Sequence, residues 1–338
     1  MQTGRERTLK AIEFNHPDKI PFCNTINHDN PFNTELDEWI KTMARPDIIS
    51  CGNADPEFLR ACKGQDEWGC IWETIGYTMG EVIVNPLHDW SVFETWLSDR
   101  RSFGAPERYC VAGRIRQENP NLYIMGGLGF GMMNLINLRG YENFMTDLYL
   151  ERENLDQLIE YLYSQMHFSV DGYSSAGLDA VILWEDWGLQ NTLMISPKMW
   201  REVFKKPMAE LIQYVHQHHM KYVLHSCGYI TEILDDLIDI GVDVLQLDQQ
   251  KLMGIDVLAQ YAGSVCFFNP VDIQLASFND DLAGIRRYAA DMAVKLSTSA
   301  GGFMYKTYAS PKSCEISRQV IESEVKAFTE TNPYHQDL

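Results

Sequence analysis

Tyr222-Val223-Leu224-His225-Ser226-Cys227-Gly228 is the stretch on which the fold turns. Three apolar residues, too short a run for a helix, pass directly into His, Ser, Cys and Gly. That pattern is a short buried strand ending in polar groups. Side chains alternate along a strand, so His225 and Cys227 point to the same side at its end. The pattern recurs. Ala180–Glu185 carries Val181-Ile182-Leu183-Trp184 and closes on Glu185 and Asp186. Val242–Leu247 closes on Gln246 and Asp248, and Ser264–Phe268 is followed by Asn269 and Asp272. Gly302–Lys306 is followed, after a short loop, by Cys314. Ile20–Ile26 carries Asn24 and leads into Asn27, His28 and Asp29, and Leu122–Gly126 runs into a glycine-rich segment.

Several of these runs are continuously apolar, as parallel strands buried on both faces are. Between them lie segments of helical period, clearest at Glu151–Ala176, Ile230–Ile240, Leu282–Ser297 and Ile316–Thr331. Alternation of strand and helix implies a parallel sheet. Seven or eight strands in one unit favour closure into a barrel. The expected fold is therefore α/β, a single (α/β)8 TIM-type barrel over residues 1–338, with an N-terminal helical and hairpin elaboration. Ile71-Trp72-Glu73-Thr74 and Gly80-Glu81-Val82-Ile83-Val84 are the two arms of a hairpin inserted at about 68–84. No repeat, low-complexity tract or linker interrupts the pattern. In such barrels chemistry sits where strands end and loops begin. The polar residues named above would then share one rim.

Composition narrows the function. The chain carries 28 Lys and Arg against 47 Asp and Glu, a net charge of −19. That argues against nucleic acid, whose phosphates are met by cations, and against a polyanionic substrate without a local basic pocket. No apolar run reaches membrane-spanning length. Met1-Gln2-Thr3-Gly4-Arg5-Glu6-Arg7 enters a charged helix with no apolar core of a signal peptide, so a cytoplasmic location is expected. In a reducing compartment the eight cysteines would be free or metal-bound rather than paired.

His225, Cys227 and the distant Cys314 have the composition of a catalytic zinc site: three protein ligands and one open position. The chain has no C-x-x-C pair of the kind structural zinc sites use. The competing explanation is that these cysteines are small buried hydrophobes. Gly126-Gly127-Leu128-Gly129-Phe130-Gly131 lacks the spacing and Lys of a phosphate loop and suggests close backbone approach to a flat ligand or partner. His216, His218 and His219 fall at the end of a helix on the opposite, N-terminal face, where cations suit the helix C-terminus.

The chain resembles the uroporphyrinogen decarboxylase superfamily in several blocks. They are Thr3-Gly4-Arg5-Glu6-Arg7-Thr8-Leu9-Lys10-Ala11 with His16-Pro17-Asp18-Lys19-Ile20-Pro21, Leu138–Phe144 with Asp147-Leu148-Tyr149, Ile195–Arg201, and His225–Gly228 with Gly241-Val242-Asp243. They run in family order from about residue 3 to about 330, and the family fold is an (α/β)8 barrel. One branch decarboxylates a porphyrinogen bearing eight carboxylates, gripped by arginines of an N-terminal loop. Here that loop, Phe22–Asn30, has no Arg or Lys, and such a pocket needs cationic forks. The other branch resembles methylcobalamin:coenzyme M methyltransferases, whose zinc motif is H-x-C and a remote Cys; His225, Cys227 and Cys314 match it.

The resemblance thus implies one zinc ion per chain and methyl transfer between a corrinoid (methylcobalamin or cob(I)alamin) and a small thiol, methoxy or other methyl substrate, within one-carbon metabolism. Coenzyme M, tetrahydrofolate, a methylamine, a methoxy-aromatic compound and a halomethane all fit. Asp248 is the expected fourth ligand or the acceptor that holds the His225 ring. Glu185, Asp186, Asn27, His28 and Gln246 are expected at the substrate, and Trp184 or Trp187 stacked on a ring or the corrin. The chain lacks a D-x-H-x-x-G segment, so the corrinoid is expected from a separate carrier protein or as free cobalamin. A decarboxylase of porphyrin biosynthesis and a non-catalytic ligand-binding barrel are the alternatives.

Overall fold

The structure is a computed structural model that describes residues 1–25, 31–52, 64–73, 80–100 and 102–334, with the backbone alone at 31–33. Eight parallel strands close into a barrel. They are β1 (Phe22–Cys23), β2 (Ile48–Cys51), β6 (Tyr123–Phe130), β7 (Ala180–Glu185), β8 (Lys221–Ser226), β9 (Val244–Leu247), β10 (Cys266–Asn269) and β11 (Phe303–Lys306). The order around the barrel is β1-β11-β10-β9-β8-β7-β6-β2, closed by the pairing of Cys23 with Ile48. Helices cover the outside, among them Arg152–Ser175, Lys205–Gln217, Leu282–Lys295 and Arg318–Glu330. The fold is the expected (α/β)8 barrel.

The sequence pattern missed β2. Ile48-Ile49-Ser50-Cys51 is short and half polar, and its pairing with Tyr123–Gly126 comes from the tertiary structure rather than from its own periodicity. Strands β3 (Gly64–Gln65), β4 (Ile71–Glu73) and β5 (Glu81–Val84) form a separate antiparallel sheet in which Trp72 faces Val82 and Glu73 faces Glu81.

The barrel has two apolar regions. The lumen holds Cys23, Ile48, Tyr123, Met125, Ala180, Ile182, Val223, Val244, Cys266, Phe268 and Met304, with Ala11 and Ile12 of the helix Gly4–Ile12 packed into it. Alternate residues such as Val181, Leu183, Leu224, Leu245 and Phe303 belong to the larger cluster between sheet and helices. This parity decides the site. Two residues beyond Ile182, Val223, Val244 and Met304, on the lumen side, stand Trp184, His225, Gln246 and Lys306. Trp184, His225 and Gln246 are register neighbours on β7, β8 and β9. The apolar plug thus gives way to a polar layer at the C-terminal mouth.

Two of the blocks noted in the sequence are structural locks. Arg7 bonds Asp18 through Nε at 2.5 Å and Asp47 through Nη1 at 2.5 Å, tying the first helix to the segments flanking β1 and β2. Arg139 bonds Asp147 at 2.6 Å, both buried, and stacks over Trp90 at 4.0 Å. Removing one partner of such a pair leaves a buried charge, typically at about 3–5 kcal/mol.

Candidate metal centre and active site

His225 is the centre of the mouth. Its Nδ1 donates to Gln246 Oε1 at 2.5 Å, and Gln246 Nε2 donates to Asp248 Oδ1 at 2.7 Å. Asp248 in turn pairs with Lys306 at 3.2 Å, both carboxylate and ammonium largely buried. Burial pushes the Asp248 carboxyl up, but Lys306, His225 and the hydrogen bonds from Gln246 and Lys306 outweigh it and hold the group below the usual carboxylate range. The chain Lys306–Asp248–Gln246–His225 fixes the imidazole ring and its tautomer, and leaves Nε2 turned toward the mouth. Outer-shell partners of this kind orient metal-binding histidines.

Nε2 lies 3.5 Å from Cys227 Sγ and 3.7 Å from Asp186 Oδ1. Among the described residues these three form the group of His, Cys and acidic side chains whose donor atoms all fall within 4.8 Å of one another. Tetrahedral zinc, with bonds of about 2.0–2.3 Å, keeps its ligands roughly 3.5 Å apart. The two measured separations match, so the donor set fits that ion in spacing and in chemistry. Without a cation, burial and the nearby Asp186 and Asp248 raise the Cys227 thiol far above its ordinary pKa, with Lys306 opposing them. Two carboxylates facing a thiol at a buried mouth are a site electrostatically suited to a cation, whose charge would convert the thiol to thiolate.

The structure sorts the residues expected from the sequence. His225 and Cys227 converge. Cys314 is not in their group: it ends a short 3-10 turn, Pro311–Cys314, after β11, three strands round the barrel from β8. Its thiol is raised by burial and Asp248 and lowered by Lys306, so it shares their neighbourhood. Asp248 is committed to Lys306 and Gln246; it holds the His225 ring through Gln246 rather than standing at the cluster. Asp186, by contrast, is 44% exposed at its side chain and accepts from the Cys227 amide at 3.3 Å. Lys306 was not singled out in the sequence. Its signal was available: a lone Lys closing an otherwise apolar strand, Phe303-Met304-Tyr305.

Three expectations meet physical reasons against them. Glu185 is fully buried and turned away from the mouth, where it accepts the amides of Met132 at 2.9 Å and Met133 at 3.4 Å and so caps the helix Met132–Arg139. Burial pushes its carboxyl up to about 8 against those amides. Trp187 has no exposed surface and lies edge-on to Trp200 and Phe204, so it cannot stack on a ligand. The flat groups that approach the glycine-rich strand are the protein's own. A Cβ on Gly126 would lie 2.6 Å from the Tyr173 ring, on Gly127 2.7 Å from Trp184, and on Gly131 2.0 Å from Glu185 Oε1. Trp184 stands in the lumen layer beside Phe130 and remains partly exposed. Asn27 and His28 lie outside the described residues.

Two hollows flank the barrel. One of about 640 Å³ lies at the N-terminal face. There Arg5 pairs with Asp179, His216 with Asp243 and Lys221 with Glu13, so its charges are mutually satisfied. The other, about 400 Å³, lies between the three-stranded sheet and the helix Met132–Arg139 and includes Asp186. Among the described residues no helix is long and apolar enough to cross a membrane, and the seven described cysteines are free.

Comparison with known proteins follows the same outline. A methyltransferase from Methanosarcina mazei superposes with a TM-score of 0.70 over 98% of this chain and 99% of that one, at 17% identity. Xylanase 10B from Thermotoga maritima gives 0.47 over 97% and 98%, at 12% identity. The first is a likeness of fold. No curated protein sequence matches significantly. The family profile described as uroporphyrinogen decarboxylase (URO-D) matches residues 80–266, from β5 into β10, and takes in His225 and Cys227. That span is more than half of the chain, and the chain belongs to the uroporphyrinogen decarboxylase family.

Proposed function

We infer that the protein is a zinc-dependent methyltransferase of this family, moving a methyl group between a small substrate and a corrinoid brought by a separate carrier protein or as free cobalamin. The observation that carries the inference is the convergence of His225 Nε2, Cys227 Sγ and Asp186 at 3.5 and 3.7 Å, with the far side of the imidazole locked by Gln246. His225, Cys227 and Cys314 would hold the ion, and the exposed Asp186 carboxylate occupies the corner that a substrate atom takes over. Zinc bound there supplies Lewis acidity, lowering the pKa of a substrate thiol or drawing electrons from the heteroatom that carries the methyl.

The remaining work belongs to the chain. Gln246, Asp248 and Lys306 keep the imidazole from turning. Trp184 forms an apolar wall beside the reacting atoms, which limits water. The barrel rim positions substrate and corrinoid in line, and placement of that kind is a large part of catalysis for a bimolecular transfer. A tetrapyrrole decarboxylase is less well supported: Phe22–Asn30 holds no Arg or Lys, and Lys306 at the mouth is neutralised by Asp248.

The test combines zinc content with transfer. Protein purified without added metal should carry about one zinc per chain, the Cys227→Ala form little. With free cobalamin reduced to cob(I)alamin, the parent should convert methyl donors with the absorbance change of methylcobalamin formation. Protein that takes up no zinc even when supplied with it would overturn the proposal.

A further inference from the structure

Of the three proposed zinc ligands, Cys314 alone stands outside the donor cluster, and the structure shows what holds its loop. Ser277 Oγ lies 2.7 Å from the Cys314 carbonyl and 2.7 Å from the Ile273 carbonyl. A hydroxyl has one proton to give. The Ile273 carbonyl already accepts the Ser277 amide at 2.9 Å, so Cys314 is the better use of that proton. The next residues repeat the tie: the Phe278 amide donates to the Glu315 carbonyl at 3.1 Å. Two short segments, 37 positions apart in the chain, are joined side by side at the mouth.

The other end of the same segment is anchored at the support of His225. The Ile273 amide donates to the Asp248 carbonyl at 2.9 Å, and the Asp248 side chain is the one that holds Gln246 and Lys306. The turn between, Ile273–Ala276, is started by the fully buried Asp272. Its carboxylate accepts the amides of Gln274 at 2.9 Å and Leu275 at 3.2 Å, and of Lys251 at 2.8 Å. One turn of helix therefore spans from the residue that braces His225 to the backbone of Cys314.

The junction is also strained. Phe278 (φ 52°) and Glu315 (φ 51°) both take the left-handed backbone conformation that residues with a Cβ rarely adopt. Phe278 is 83% exposed, so packing of its ring does not compensate. Such conformations persist where surrounding bonds over-determine them, and they gather at ligand clamps and active sites. Here those bonds include the two that tie Ser277 and Phe278 to the Cys314 loop.

We propose that Ser277 is the positioning residue of Cys314, its hydroxyl pinning the Cys314 backbone to the brace of His225 before the ion arrives. The proposal rests on the reading of Cys314 as a zinc ligand made above. A loop already pinned gives up little conformational freedom when its thiolate joins the metal, whereas a free loop loses that freedom at the expense of affinity.

The test is zinc affinity of the full chain, read by competition with a chromophoric chelator in a double-mutant cycle. Ser277→Ala should weaken zinc by about tenfold or more, the usual loss when the partner that orients a ligand is removed. Ser277→Thr keeps the hydroxyl on an already extended backbone (φ −68°, ψ 137°) and should bind zinc as the parent does. In the Cys314→Ala background, Ser277→Ala should bring no further loss, because residues that act through one another are not additive. Phe278→Pro, which removes the second tie, should weaken zinc in the same Cys314-dependent way and replaces Ser277→Ala should that variant fold poorly. A loss of equal size in both backgrounds would make Ser277 merely structural and overturn the proposal. A Thr variant as weak as the Ala form would do the same. Zinc absent from the parent would remove the methyl-transfer reading and this inference with it. Zinc bound equally by the parent and Cys314→Ala would remove Cys314 as a ligand. A loss in Cys314→Ala with none in Ser277→Ala would remove the positioning role alone.

Discussion

Gln246 is the residue whose replacement most sharply separates a built metal centre from an accidental meeting of His and Cys. It is 2% exposed, accepts the Nδ1 proton of His225 at 2.5 Å and donates to Asp248 at 2.7 Å. Gln246→Leu keeps the volume and removes both bonds. Two buried partners then lose a contact, at about 1–3 kcal/mol each, and the added apolar burial of Leu returns part of that. The metal-free protein should lose about 1–3 kcal/mol in total. The larger signature is in the metal. A ligating His without its outer partner typically forfeits 10–100-fold in affinity, or about 1.4–2.7 kcal/mol at 1.4 kcal/mol per decade. Gln246→Glu should keep most of the affinity, because a carboxylate still accepts from Nδ1 and shares a proton with Asp248. Zinc affinity is read by competition with a chromophoric chelator, and stability by thermal melting of the metal-free forms. A Leu variant that binds zinc as the parent does, or a Glu variant as weak as the Leu form, would refute the claim that this hydrogen-bond chain prepares His225 for a metal.

Lys306→Met leaves Asp248 buried with Gln246 as its remaining partner. The expected loss is about 3 kcal/mol, the lower end for one-sided removal of a buried pair. Lys306→Met with Asp248→Asn should recover much of it in chemical denaturation, and equal stability of single and double variants would deny the coupling. Burial, opposed by the Val271 amide and Lys306, raises the fully buried Glu324 carboxyl from 4.5 to about 8. Between those values the native state holds a proton that the unfolded chain releases, so stability falls as pH rises, by about 1.4 kcal/mol per pH unit for one such group. Glu324→Gln should flatten the decline of stability between about pH 5 and 8, and an unchanged slope would place the proton elsewhere. Gly126→Ala sets a methyl 2.6 Å from the Tyr173 ring, which is anchored by its hydroxyl to the Gly127 carbonyl. Overpacking of this kind costs about 1–3 kcal/mol, measurable as a lower denaturation midpoint; an unchanged midpoint would mean that the ring moves aside freely.

Much of the fold was legible because parallel strands announce themselves as short apolar runs. β7, β8, β9 and β11 all do so, and each carries a polar residue at or next to its C-terminal end. β2 was not legible: Ile48–Cys51 is held by neighbours on both sides, and nothing in four residues reveals that. At the site, His225, Cys227, Asp186 and Gln246 followed from their position at strand ends. What the sequence left ambiguous was direction. Glu185 and Asp186 are adjacent, so one points out of the lumen side and the other toward it; the first caps a helix and the second lies beside His225 and Cys227. The same alternation separates the half-buried Trp184 from the buried Trp187 only through the turn that follows β7. Asp248 directly follows β9 and Lys306 ends β11, with β10 between those strands, and their pairing is a fact of the barrel that no linear pattern contains.

X-ray absorption at the zinc edge tests the central claim most directly, because it counts the sulfur and nitrogen neighbours of the bound ion. The account predicts about one zinc per chain with one imidazole and two sulfurs in the parent, one sulfur in Cys314→Ala, and loss of zinc in Cys227→Ala. Absence of zinc, or a sulfur count in the parent that Cys314→Ala leaves unchanged, would contradict it.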